Sequence, residues 1–173
     1  MMTNLPVVVM LLGTAAALQC VLPAFPFHPL KVPLLAAVAF YYALERPLLP
    51  AVVVALWAGI LTDALGGVSP GTSAVFLALM ALIMAGLREV MPLSSWGGAV
   101  LVGAVGAPLL ALWQALLLRR NGAIIPVSLP LTGALLLAPG GALATVVARS
   151  AGRYLDLRAG NLTPSKEVES DAG

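Results

Sequence analysis

Charge is confined to a few short breaks in this chain, and the apolar runs between the breaks have the length that a lipid bilayer sets. No Asp, Glu, Lys or Arg occurs from Val90 to Leu118 or from Asn121 to Ala148, and between Arg46 and Arg88 the only one is Asp63. A helix needs about 20 mainly apolar residues to cross the hydrocarbon layer, with a range of about 17–25. Inside that layer backbone N–H and C=O groups must bond within their own segment, which makes such runs helices. Composition agrees. The chain is 61% hydrophobic and 9% charged, against about 25% charged residues in a soluble domain. Its mean hydropathy is +1.03. The sequence therefore predicts an all-α integral membrane protein.

Charged residues and Pro/Gly clusters divide the chain into six spans: roughly 5–24, 32–44, 48–65, 72–87, 95–118 and 124–148. The first run is too long for a signal-peptide core and has no basic residue before it, so it reads as a retained span. The second is short for a full crossing. In the sixth, Pro126, Pro130 and Pro139 predict kinks or a break. Residues 1–148 then form one six-helix membrane domain. Residues 149–173 form a polar tail whose start, RSAGRYLDLR, reads as a short interfacial helix, and whose end reads as disordered. With six spans, Arg46, Arg88, Arg149, Arg153, Arg158 and Lys166 share a side with both termini, against Lys31, Arg119 and Arg120 on the other. That bias predicts cytoplasmic termini.

Several function classes find no support. The net charge is only +2, and basic residues are scattered singly or in pairs, so no stripe for nucleic acid exists. There is no Gly-rich phosphate loop, metal cluster or redox spacing, and no cofactor is expected. Cys20 stands alone in the first span and reads as a small buried hydrophobe. Gly67-Val68-Ser69-Pro70-Gly71 fits the G-x-S-x-G pattern of serine hydrolases. However, the residue after the serine would have to lend a backbone N–H to the oxyanion hole, and it is Pro70. The single histidine, His28, lies in a distant link. The stretch reads as a turn, with Thr72 and Ser73 placed to cap the fourth span.

Asp63 is the residue that needs explaining. On a helix Gly59, Thr62, Asp63 and Gly66 fall at i, i+3, i+4 and i+7, one face. A carboxylate facing lipid costs about 2.5–3.5 kcal/mol at mid-bilayer on insertion scales. This face should turn inward, with Asp63 bonded to backbone amides, a hydroxyl or an arginine. Such an acid is a candidate for proton relay or substrate binding. Its place about one turn from the helix end favours a plainer role, holding the turn between the third and fourth spans. No second acid lies in an apolar run; Glu45, Glu89 and the tail acids fall in predicted links or the tail. Small residues repeat on helical faces: Ala74, Ala78, Ala81 and Ala85, then Gly103, Gly106 and Ala107. They let backbones approach closely in lipid. Gln114 is placed to bond across to another helix. Trp96 and Trp113 read as interface anchors, Trp57, Tyr41 and Tyr42 as anchors or core, and Arg119-Arg120 as a headgroup contact.

Gly59-Ile60-Leu61-Thr62-Asp63, then Gly67 and Gly71, resembles the signature of the rod shape-determining protein MreD family: a glycine, an aspartate four residues on, and a glycine eight residues after that. Leu18-Gln19, the Pro-rich link that follows and Tyr41-Tyr42-Ala43-Leu44 are similar to that family as well. The likeness covers roughly residues 15–90. Thr62, where an apolar residue is common, the proline-rich sixth span and the longer tail depart from it. The resemblance implies a non-enzymatic protein of the bacterial inner membrane, part of the cell-elongation machinery that builds peptidoglycan. It implies an MreC-like single-span partner and, through it, MreB, RodA and a penicillin-binding transpeptidase. It also implies a fold similar to the S component of energy-coupling factor transporters. Substrate binding as an S component of a vitamin or micronutrient transporter is therefore the alternative. Few polar groups are available to line a cavity, which favours the scaffold. On this reading Gly59, Thr62, Asp63, Gly66, Gly67 and Gly71 form a structural or partner-binding motif.

Overall fold

A computed structural model of the chain describes residues 5–22, 32–66, 69–90, 95–122 and 128–160, the side chain of Leu129 apart. Among them the structure is helical throughout, with six helices: α1 (Leu5–Val21), α2 (Leu34–Glu45), α3 (Leu48–Gly66), α4 (Thr72–Val90), α5 (Trp96–Arg120) and α6 (Ser128–Arg158). Four of them, α3 to α6, are long and apolar enough to cross a membrane, while α1 and α2 are shorter apolar helices. The chain is a multi-pass helical membrane protein.

Helix starts follow local chemistry. Ser95 caps α5, its Oγ accepting from the N–H of Gly98 at 3.1 Å. Arg46 and Pro47 stop α2 and form the two-residue link after which α3 begins, the residue before a proline being forced out of the helical region. At Gly71 the backbone takes φ +94°, the left-handed region that glycine enters at no steric cost.

The short second helix is the centre of the bundle. Every residue from Leu35 to Leu44 is buried, and α2 packs against all five other helices. In lipid, α2 has no outer face, and its twelve residues reach only about 18 Å. Its amino end lies against α1, where the Leu35 N–H donates to Oε1 of Gln19 at 3.2 Å, meeting one of the free amides of a helix start.

Around this axis close approach depends on small residues. A Cβ at Gly59 would collide with the Ala74 backbone, and one at Gly103 with the carbonyl of Gly141. Helices α3 and α4, and α5 and α6, thus pack backbone to backbone, the mode that replaces hydrophobic driving force in lipid. Ala74, Ala81, Gly103, Gly106 and Ala107 are buried, and Ala78 and Ala85 half-buried. Outward faces are apolar and exposed, among them Val9, Leu49, Trp57, Val75, Leu101, Leu135 and Leu143. Trp57 thus faces out from the middle of α3, whereas Tyr41 and Tyr42 are core; Cys20, expected to be buried, is instead exposed on the outer face of α1.

Two sequence expectations for the sixth span are corrected. The helix is unbroken through Pro139. Pro130 sits in its first turn, where the missing N–H has no bond to lose; Pro126 lies outside the described residues. In addition, α6 does not stop at Ala148 with a separate interfacial helix after it, but continues to Arg158. It is 31 residues long, about 46 Å.

Candidate functional site

Apart from Thr145, whose hydroxyl turns back to the Gly141 carbonyl, the buried polar side chains gather at the two ends of the bundle, separated by about 22 Å along α3, from Leu48 to Asp63. At one end is the Asp63 turn. Asp63 is completely buried. Both of its carboxylate oxygens accept from the N–H of Ser73, each at 3.1 Å, and Oδ1 accepts from the Thr72 hydroxyl at 3.2 Å. One of the free amides at the start of α4, that of Ser73, is therefore capped by a carboxylate from the preceding helix. The helix dipole adds to this, since the positive end of α4 faces the acid. The sequence placed Thr72 and Ser73 themselves as caps. Instead Thr72 Oγ1 donates to the Ser69 carbonyl at 3.0 Å and to Asp63. Ser73 Oγ accepts from Nε2 of Gln114 at 2.9 Å. Ser69-Pro70-Gly71 makes the turn, with the Thr72 N–H directed back to the Ser69 carbonyl at 3.4 Å.

Helix α5 closes this end from the side. Gln114 reaches across to α4, and Nε1 of the half-buried Trp113 donates to the Thr72 carbonyl at 3.1 Å. The Trp113 ring stacks on Phe76, centroids 6.0 Å apart. Trp113 is thus a bonded part of the turn, not a free interface anchor. Trp96 is exposed and lies over Arg149, its centroid 5.1 Å from the guanidinium carbon.

The residues of the glycine–aspartate motif separate into different roles. Gly59 is the contact that admits Ala74, and Asp63 is the cap. Thr62 is buried, but its hydroxyl turns back to the Ala58 carbonyl of its own helix at 2.7 Å. Gly66 was expected on the inward face and is exposed. It is the last residue of α3. Gly71 provides backbone freedom. A Cβ there would meet nothing within 4 Å, so its role is not packing. Gly67 lies outside the described residues.

The opposite end holds what sequence reading missed. Arg46, after α2, places NH2 2.7 Å from Oδ2 of Asp156 near the end of α6; the two side chains are 7% and 1% exposed. The Tyr41 hydroxyl donates to the same Oδ2 at 2.5 Å. Burial works against the Arg46 charge, but the bond and attraction of Asp156 outweigh it and hold the guanidinium above its ordinary pKa. Beside this pair Arg149 bonds Oε1 of Glu45, at 2.7 Å from NH2 and 2.8 Å from Nε. Arg88, from the last turn of α4, donates NH1 to the carbonyls of Leu44 and Arg46 at 3.1 and 2.8 Å. A cation thus meets the negative end of the α2 dipole.

Asp156 was placed in a polar tail, and it is buried within the bundle. One signal could have found it. Gly141, Thr145, Arg149, Gly152 and Asp156 recur every three or four residues, a single stripe along α6 that changes from small to charged without leaving its face. All five are buried. Gly152 is part of the fit, since a Cβ there would strike the Tyr41 ring.

No protein-family model, curated protein or solved structure matches this chain. Fold and site rest on the geometry alone, which defines a multi-pass helical membrane protein with two buried polar ends and an apolar outer surface.

Proposed function

We propose that this protein is a non-enzymatic scaffold of the bacterial inner membrane, MreD-like, that serves the cell-elongation machinery by holding an MreC-like single-span partner. The observation that carries the reading is the use made of the glycine–aspartate motif. Gly59 brings α3 against α4, and Asp63 caps α4 with both carboxylate oxygens. An acid bonded in this way holds a helix turn in shape and presents no free carboxylate for proton transfer. Polar groups near it, Thr72, Ser73, Trp113 and Gln114, bond to one another or to backbone. A substrate-binding component would direct such groups into a cavity. The apolar outer faces of α3 to α6 fit a protein that acts through contact with other membrane spans.

In this reading both termini face the cytoplasm, and MreB, RodA and a penicillin-binding transpeptidase join through the MreC-like partner. The test is affinity purification of the full chain from gently solubilised native membranes, with mass spectrometry of what accompanies it. Recovery of an MreC-like single-span protein with cell-wall synthases is the expected result. Recovery of an ATPase pair with a membrane coupling subunit would overturn it in favour of a transporter S component.

A further inference from the structure

The buried charges at the Arg46 end are not needed for stability as such. Apolar side chains of similar volume commonly replace a buried ion pair with no loss, whereas removing one partner leaves an uncompensated charge. What paired charges do supply is register, because each accepts only its complement. Residues 149–158 need such a device. Their outer face is open, with Ser150, Ala151, Tyr154, Leu157 and Arg158 all exposed. Their inner stripe, Arg149, Gly152 and Asp156, meets Glu45, the Tyr41 ring, and Arg46 with the Tyr41 hydroxyl in turn. Acid and base alternate between the two strands of contact. Glu45 and Arg46 are neighbours on the α2 side, and their partners, Arg149 and Asp156, lie two turns apart on α6. Sliding or rotating α6 by one turn would break both pairs and bring a side chain onto Tyr41 where only Gly152 fits.

We propose that residues 149–158 are a charge-keyed latch, by which the end of α6 is fixed on the carboxyl end of the central helix α2 in one register, and which opens when either acid–base pair is lost. The rest of α6 keeps its backbone contact with α5 through Gly103 and Gly141. Opening is thus local, and the inference is independent of which partner the protein holds.

Trypsin cleavage of the full chain in nanodiscs, read by mass spectrometry, tests this. Arg153 is half-buried within the latch, while Arg119 and Arg120 are exposed at the opposite end of the bundle. Glu45→Arg or Arg149→Glu alone is expected to speed cleavage at Arg153 by more than about tenfold, the effect of losing a buried pair. The double variant, with both charges reversed, should return it to within about threefold of the unmodified protein, as pairwise coupling requires. Cleavage at Arg119-Arg120 should be unchanged in all three. The latch is overturned by a double variant cleaved as fast as the singles, or by single variants that leave Arg153 protected. Equal acceleration at both sites would mean collapse of the whole bundle and would overturn it as well.

Discussion

The two ends of the bundle solve the same problem, a buried charge, by different means. At the α3–α4 turn a single carboxylate is matched by backbone, the Ser73 amide and the start of a helix dipole. At the α2–α3 link two arginines are matched by two acids from elements far apart in sequence, with a third arginine on carbonyls. Backbone partners are fixed by the helix itself, so the first end is local and asks little of the rest of the chain. Side-chain partners must be brought together by the completed fold, so the second end reports whether α6 is in place.

The comparison predicts unequal damage. Asp156→Ala leaves Arg46 buried without its counter-charge and should lose about 3–5 kcal/mol. A melting temperature in mild detergent close to that of the unmodified protein would show that water already reaches Arg46. Gly59→Leu forces α3 from the Ala74 backbone and should lose about 3 kcal/mol, the upper part of the overpacking range. Unchanged detergent stability and partner capture would mean that this contact is dispensable. Asp63→Leu strands the Ser73 amide, while the Thr72 hydroxyl keeps the Ser69 carbonyl, and should lose about 1–3 kcal/mol. Asp63→Asn keeps one acceptor oxygen and should lose clearly less, both in melting temperature and in assembly with the partner. If both variants assemble and sustain cell shape normally, Asp63 is incidental. Gln114→Leu removes one bond between helices and should cost about 0.6 kcal/mol, with a shift in Trp113 emission as the neighbouring indole relaxes. A loss as large as that of Asp63→Leu would show that the turn depends on α5 more than its bonds indicate.

Each end was legible in the sequence to the extent that its chemistry is local. Asp63 stands out because it interrupts an apolar run, and the 3.6-residue period alone turns it inward. That Gln114 reaches another helix also follows from a polar side chain within a span. Helix positions were legible because the spacing of charge and proline reflects bilayer thickness. The Arg46–Asp156 pair was not legible in this way. Composition makes residues after Ala148 look like tail, and no local rule pairs positions 115 apart, the separation of Tyr41 and Asp156. Nor does hydropathy reveal that the shortest helix is the central one. A helix with no lipid-facing side needs no bilayer length, so the length rule that locates the others is silent there. The cap on α4 was misassigned for a related reason: Thr72 and Ser73 have the right chemistry, and a better acceptor stood one turn before the end of the preceding helix.

The burial of α2 has a consequence for the order of events during synthesis. This helix leaves the ribosome after α1 and well before its charge partners on α6, and its twelve residues are short for an independent span. Its neighbours arrive one by one, and the counter-charges for Glu45 and Arg46 are among the last described residues to be made. Until then α2 must wait beside partial company, at the membrane edge or sheltered by an insertion factor. The bundle can close around its own axis only once the end of α6 has been made, so a chain cut short before Arg149 would be an unclosed protein, not a slightly smaller one.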